Sequence, residues 1–286
     1  VLAHLEDRAR LAHAPETDIG ENIAGLGVDI GDIRGQGAAK RALEIAAAGG
    51  HNMIMIGSPG AGKTMLAQAL AGIMPKMTLD EVIETTQIYS AAGMLQAYSF
   101  IASRPFRAPH HTASPIAVIG GGSNPRPGEV SLAHRGVLFL DELPEFRRDL
   151  LEALRQPIEA GNVHISRVKG NLVFPAKFTL VAAMNPCPCG FHKDDEKECR
   201  CAAHEVLRYQ KKISGPLLDR IDLQINVPRI KVEDLQSNTR KNSGEAESAR
   251  TRIEAARKIQ RERFANTDAK ILTNSEMSSR LCDDLI

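Results

Sequence analysis

Gly57-Ser58-Pro59-Gly60-Ala61-Gly62-Lys63-Thr64 is the stretch that decides the fold. It has the spacing G-x-x-x-x-G-K-[ST], in which a glycine-rich loop turns its backbone N–H groups toward phosphate oxygens. The apolar run Asn52-Met53-Ile54-Met55-Ile56 before it reads as a buried strand, and Lys63 to Met74 after it as a helix stopped by Pro75. Strand, loop and helix in that order open a βαβ unit, so the fold class is α/β with a parallel sheet flanked by helices. The helix adds its positive N-terminal end. Gly57, Ser58, Pro59, Gly60, Ala61, Gly62, Lys63, Thr64 and Met65 are therefore the expected cradle for the phosphates of ATP or ADP. Within it Lys63 reaches the β/γ-phosphates and the Thr64 hydroxyl holds Mg²⁺.

Further elements follow on either side. Ala38, Ala39, Ala42, Leu43, Ile45 and Ala46 recur at helical spacing, and Gly49-Gly50 ends that helix. Gly136 to Leu140 is a second buried strand ending at Asp141-Glu142, and Leu150 to Ala160 reads as a helix. Asp141 is a second candidate Mg²⁺ ligand, and Glu142 is the candidate general base for attack of water on the γ-phosphate. Residues 163–174 read as a hairpin turning at Val168-Lys169-Gly170. Phe178 to Ala183 is a third strand, ending at Asn185, which either orients the attacking water or is a turn residue before Pro186. Asp222 to Val227 is a fourth strand, and Glu245 to Phe264 is a charged helix with Ile253, Ala256, Ile259 and Ala265 available to face a core. Residues 90–128 contain three arginines, two adjacent histidines and no Asp or Glu, and are long enough to be a functional insertion.

Composition narrows the class. Over 286 residues, 36 Lys+Arg face 35 Asp+Glu, so the net charge of +1 excludes a uniformly basic nucleic-acid binder but leaves room for local basic patches. No apolar run approaches the ~18 residues that cross a bilayer, so no membrane span is expected. The start lacks an initiator Met, which suggests a piece of a longer chain. Four of the five cysteines, Cys187, Cys189, Cys199 and Cys201, lie in one short stretch. Clustered thiols suit a cytoplasmic protein with a metal site better than a secreted disulfide scaffold. Four thiolates can complete tetrahedral Zn²⁺ coordination, with His192 and His204 as substitute ligands and four reduced surface thiols as the alternative.

Several motifs in order give a closer match. Gly31-Asp32-Ile33-Arg34-Gly35-Gln36, the run Arg41 to Asn52, Arg104-Pro105-Phe106-Arg107-Ala108-Pro109-His110-His111, Pro127 to His134, Asn185-Pro186-Cys187-Pro188-Cys189-Gly190 and Ser214 to Asp222 resemble the magnesium-chelatase-like YifB/ComM family of AAA+ ATPases in bacteria. The resemblance runs from about Asp32 to Pro228. It implies an AAA+ P-loop NTPase core over residues 31–232, with a helix-2 insertion at about 90–128, a pre-sensor-1 hairpin at about 163–174 and the Cys cluster at 187–201. Residues 1–30 are then a leader from an upstream region, and 233–286 part of an α-helical lid. It places Asn185 at the sensor-1 position, Arg220 at the arginine-finger position and Gly35-Gln36 beside the adenine. For Arg220 an ion pair with Asp219 or Asp222 is the plainer alternative. A finger acts on the neighbouring subunit's γ-phosphate, so the resemblance implies a homo-oligomeric ring, commonly hexameric. It also implies a preceding Lon-protease-like domain and a second-sensor arginine, both outside this chain.

The same resemblance sets the functional expectation. The ComM branch is similar to a branch-migration helicase that integrates incoming DNA in natural transformation. Single-stranded or branched DNA is then a partner, met by Arg167 and Lys169 at the hairpin tip and by Arg104 and Arg107 in the acid-free insertion. Such contacts need only Lys and Arg and are sequence-independent. The competing readings are surface charge or ring-interface pairing for those residues. For the whole chain they are a magnesium-chelatase-type motor subunit, or a protein-remodelling ATPase coupled to the Lon-like domain.

Overall fold

The protein is described here by a computed structural model covering residues 28–95, 99–167, 170–230, 244–265, 267 and 271–285. Helix α1 (Gly37–Gly49) leads into strand β1 (Met53–Ile56), and the P-loop joins β1 to helix α2 (Lys63–Ile73). Helix α3 (Leu79–Ala91) begins on a reciprocal cap: Glu81 N–H donates to Thr78 Oγ1 at 3.3 Å, and Thr78 N–H donates to the Glu81 carboxylate at 3.0 Å. Then come β2 (Phe106–Arg107), α4 (Pro115–Ile119), a small hairpin of β3 (Gly120–Gly121) and β4 (Arg126–Pro127), α5 (Glu129–Leu132) and β5 (Val137–Leu140). Helices α6 (Arg148–Ala153) and α7 (Arg155–Ala160) precede the hairpin β6 (Asn162–Arg167) and β7 (Gly170–Pro175). Strand β8 (Thr179–Met184), helices α8 (Ala203–Gln210) and α9 (Gly215–Leu218), β9 (Leu223–Asn226), α10 (Glu245–Phe264) and α11 (Ser279–Leu285) complete the order.

Five strands form one sheet in the order β2-β5-β8-β1-β9, every ladder parallel. Each central strand is apolar on both faces, as a sheet covered on both sides requires. Met53, Met55, Val137, Phe139, Val181 and Ala183 join one cluster with α1 and α2. The alternate residues Ile54, Leu138, Leu140, Leu180, Ala182 and Met184 join the other, with α6, the β6–β7 hairpin and Tyr209 of α8. This is the α/β layering and the AAA+ core expected from the sequence. The helix-2 interruption is also present, as β3–β4 between α4 and α5, and it is much shorter than residues 90–128. The pre-sensor-1 hairpin is β6–β7, with Asn162 opposite Pro175 and Arg167 opposite Gly170.

Three expectations change. The helix expected over 150–160 breaks at Leu154, because Pro157 has no N–H to donate to Ala153 and its ring crowds that carbonyl. The core begins before residue 31, since Ile30 is buried in the cluster of α1 and α2. In α10 the buried stripe is Ala246, Ala249, Ile253, Gln260 and Phe264, whereas Ile259 and Ala265 are exposed. Gln260 fits that stripe because both ends of its amide are bonded: it donates to Ala48 O at 2.9 Å and accepts from Asn274 N at 2.9 Å. Arg257 donates to Ala47 O at 2.8 Å, bringing positive charge to the C-terminal end of α1. Together with the Lys40–Glu245 pair at 2.8 Å, these bonds seat α10 on the core. Of the expected lid, residues 233–243 lie outside the described residues. No helix among the described residues is long and apolar enough to cross a membrane.

Candidate nucleotide site

Because β1, β5 and β8 run parallel in register, their C-terminal ends reach one edge of the sheet together. From that edge emerge the P-loop after Ile56, Asp141-Glu142 after Leu140 and Asn185 after Met184. A ligand crevice at the carboxyl ends of the strands is the general rule for open α/β sheets. Gly60 and Gly62 stand at φ +79° and +87°, so the loop needs residues without a Cβ there. Gly62, which precedes helix α2, offers no side-chain cap, which leaves first-turn N–H groups available to an anion.

The lysine is held ready. Lys63 is buried, and its ammonium donates to Gly57 O at 2.7 Å, Ser58 O at 3.0 Å and Asn185 Oδ1 at 3.2 Å. Burial pushes its pKa below the usual lysine range, opposed by the charges of Asp141 and Glu142. Thr64 donates to Asp141 Oδ2 at 3.2 Å, so two hard oxygen donors stand side by side. That donor set fits Mg²⁺, which takes few protein ligands and keeps several waters.

Glu142 is in the left-handed region at φ +53°, uncommon for a residue with a side chain. Its carboxylate is half exposed and lies 3.4 Å from His111 Nδ1. Among the described residues, non-glycine positive φ values occur at Gln36, Arg135, Glu142 and Lys193. Gln36 and Glu142 are both at positions expected from the sequence to face the nucleotide, and local strain is commonly concentrated at functional sites. Gln36 donates to Pro228 O at 2.6 Å, joining the start of α1 to the end of β9. Asn185 is set from below by α8: its backbone bonds the buried Tyr209 phenol, whose pKa burial pushes up to about 12. Sequence reading missed Tyr209 and His111. The two-histidine run was a visible signal for the second, but the contact with Glu142 is tertiary.

Arg220 is at the opposite edge of the sheet, by the N-terminal end of β1. It follows α9 and precedes β9, and its carbonyl accepts from Asn52 Nδ2 at 3.1 Å, where β1 begins. The four-residue strand β1 separates that edge from the P-loop by ~13 Å. Neither alternative carboxylate takes it: Asp222 is bonded by His51 and the Asn52 N–H, and the Arg220 guanidinium pairs with Glu159 and donates to Pro216 O.

Arg104 and Arg107, expected from the sequence to meet DNA, both have carboxylate partners within the chain. Arg104 is half-buried against α3, donating to Pro75 O, to Arg135 O at 2.7 Å and to Glu81 at 3.1 Å. Arg107 makes a two-pronged pair with Glu129 at 2.6 and 2.8 Å. Both carboxylates come from outside the acid-free segment, so local composition could not reveal them. Phe106 stacks on Phe139 and β2 pairs with β5 at the sheet edge, while His111, four residues on, lies beside Glu142. Of the other two candidates, Arg167 ends β6 with its side chain outside the described residues, and Lys169 lies wholly outside them.

The cysteines converge as expected. Cys187, Cys189, Cys199 and Cys201 bring their Sγ atoms within 4.8 Å of one another, and neither His192 nor His204 belongs to the group.

Comparison with known proteins supplies the family. The model described as magnesium chelatase, subunit ChlI, matches residues 29–235. The competence protein ComM of Haemophilus influenzae is 48% identical over 255 residues, covering 89% of this chain and 49% of that protein. The YifB protein of Escherichia coli is 48% identical over 228 residues, covering 80% of this chain and 44% of that one. That of Salmonella typhimurium is 43% identical over 273 residues, covering 95% and 53%. The chain thus spans about half the length of the curated relatives it matches. Among solved structures, a complex of magnesium chelatase subunits BchI and BchD matches with a TM-score of 0.53 at 20% identity, over 85% of this chain and 78% of that one, a likeness of fold. With its P-loop core and these relatives, the chain belongs to the magnesium chelatase subunit ChlI family of AAA+ proteins, on the side of YifB and ComM.

Proposed function

We propose that this chain is the ATP-hydrolysing core of a ring-shaped motor that moves DNA, of the ComM branch-migration type. One observation carries the reading: the P-loop, the Thr64–Asp141 pair, Glu142 and Asn185 meet at one sheet edge, while Arg220 stands at the opposite edge. A single subunit therefore holds the phosphate site but cannot bring Arg220 to it, and a neighbour stacked head to tail can. Heterologous contacts of that kind close into rings.

The residues divide the work. The P-loop N–H groups and Lys63 bind the phosphates, with the Lys63 ammonium exchanging its contacts with Gly57 O and Ser58 O for phosphate oxygens. Thr64 and Asp141 would hold Mg²⁺, which supplies neutralisation of the charge on the β- and γ-phosphates. Glu142 takes a proton from the water as its oxygen bonds to phosphorus and the bond to ADP breaks. Asn185 orients that water, and His111 keeps the Glu142 carboxylate at hand. The neighbour's Arg220 stabilises the transferring phosphoryl group, an effect worth roughly 10³–10⁵ in rate where it is known.

DNA contact rests on the two hairpins. Gly120 of β3 lies against Ile165 of β6, so β3–β4 and β6–β7 are neighbours, with Arg126 exposed on the first and Arg167 ending strand β6 of the second; Lys169, the other basic residue that the sequence offers for this contact, lies outside the described residues. The name of the Haemophilus relative, a competence protein, supports DNA over a porphyrin as the substrate. ATPase rate with and without forked or single-stranded DNA, measured on the full-length protein, tests this. Stimulation supports the motor, and a ring that neither binds DNA nor responds to it refutes it.

A further inference from the structure

The thiol cluster has the dimensions of one tetrahedral ion. Cys187 is buried and the other three cysteines are half-buried. The Sγ separations are 3.4 Å for Cys187–Cys189, 3.7 Å for Cys187–Cys199 and 3.7 Å for Cys189–Cys199, with Cys201 Sγ within 4.8 Å of all three. Four thiolates at ~2.3 Å from a central Zn²⁺ lie ~3.8 Å from one another, so these spacings need only a small expansion. An iron–sulfur cluster interposes inorganic sulfide between its irons and would spread the cysteines into more distant pairs. An all-sulfur set also disfavours Mg²⁺, Ca²⁺ and Mn²⁺. The loop backbone turns in to meet the sulfurs: His192 N–H donates to Cys187 Sγ at 3.3 Å. An N–H bonded to a ligating sulfur in this way fixes the direction in which it meets a metal.

The nine residues between the two cysteine pairs lie on the P-loop. Asp194, almost wholly buried, accepts from the Ser58 hydroxyl with Oδ2 and from the Glu196 and Lys197 N–H groups with Oδ1 at 3.1 and 3.0 Å. Gly190 is at φ +85°, and a Cβ there would stand 2.6 Å from Pro59 Cδ. Only glycine fits that approach. Arg229, just beyond β9, stands over the Phe191 ring and within 3.8 Å of Asp194. The spacer is thus held at both ends by cysteines and in the middle by the phosphate loop.

We infer that Cys187, Cys189, Cys199 and Cys201 bind one Zn²⁺ and that the loop they close is a clamp, setting through Asp194 and Gly190 the shape of Ser58-Pro59 and so the affinity for nucleotide. The metal half stands on the thiol geometry alone; the clamp half rests on the phosphate-site reading above. Metal analysis of the purified protein should give one zinc per chain. Replacement with Co²⁺ should give thiolate charge-transfer and tetrahedral d–d absorption, both lost in Cys199→Ser/Cys201→Ser. Asp194→Ala should keep the metal and the cobalt spectrum yet weaken Mg·ADP binding about tenfold, the scale of one lost charge-assisted hydrogen bond. The parent spectrum keeps the test readable where the serine variants do not fold. Absence of zinc together with no cobalt spectrum, or disulfides among these cysteines in the protein as isolated, overturns the site. A metal-loaded Asp194→Ala that binds Mg·ADP as the parent does overturns the clamp. A metal-loaded parent that binds no nucleotide overturns the clamp and the phosphate-site reading together, leaving the metal site standing.

Discussion

Lowering the pH from about 7.5 to about 5 should cost this fold about 2 kcal/mol through His134 alone. The ring is 2% exposed, accepts from the Lys177 N–H on Nδ1 at 3.0 Å and meets Glu84 with Nε2 at 3.1 Å. Its Nδ1 is therefore an acceptor and its Nε2 carries the hydrogen, so the native ring is neutral. Burial pushes its pKa from 6.5 down to about 4; Glu84 opposes the shift, and Arg135 and Lys177 add to it. The unfolded chain takes up the proton near pH ~6.5 while the native chain resists until near pH ~4, so stability attributable to this ring is present above ~6.5 and falls as pH drops toward ~4. With those two values the linkage relation gives about 2 kcal/mol lost by about pH 5, or several degrees in Tm. Urea unfolding at a series of pH values checks it, with His134→Gln as the partner that cannot titrate. The parent should lose about 2 kcal/mol more than the variant over that interval. Parallel curves for parent and variant would refute the argument.

Other outcomes follow from the site. Lys63→Ala should lose tight Mg·ATP binding, seen by calorimetry, whereas Glu142→Gln should keep it and lower kcat by roughly 10²–10⁴. His111→Ala should lower kcat about tenfold with nucleotide Kd unchanged, since it touches the Glu142 carboxylate and not the cradle; a change in Kd alone would remove its positioning role. Arg104→Ala should destabilise the fold by about 3 kcal/mol, because it removes the cation from Glu81 and leaves that carboxylate only its cap bond from Thr78 N–H, while DNA affinity at matched folded fraction stays the same. Arg167→Ala/Lys169→Ala should instead leave stability unchanged and weaken DNA binding, with the salt slope falling by about one per charge removed.

Much of the site was legible because its parts sit at fixed places relative to a strand. Gly57 to Thr64 follow β1, Asp141-Glu142 follow β5 and Asn185 follows β8, and the parallel register brings those three strand ends together. Apolar runs marked the strands, and the α10 boundaries, Glu245 and Phe264, agree at both ends. What failed was inference from local charge. Arg104 and Arg107 looked free because residues 90–128 hold no acid, yet Glu81 and Glu129 reach them from α3 and α5. Ile259 looked buried by type but is exposed, while Gln260 takes the core position, because satisfied hydrogen bonds rather than hydrophobicity admit it. The partners of Asp194 and His111 are long-range contacts that no spacing in the chain announces.

The central claim is that each phosphate site is completed by Arg220 of a neighbour. Mixing two inactive full-length variants, Lys63→Ala and Arg220→Ala, tests it in one steady-state ATPase measurement. In a mixed ring an Arg220→Ala subunit keeps its own cradle and receives an intact Arg220 from a Lys63→Ala neighbour. The account predicts that turnover returns on mixing, with about a quarter of the interfaces competent at equal amounts under random assembly into a head-to-tail ring. Full activity of Arg220→Ala by itself, or mixed rings as inactive as their parents, would contradict it.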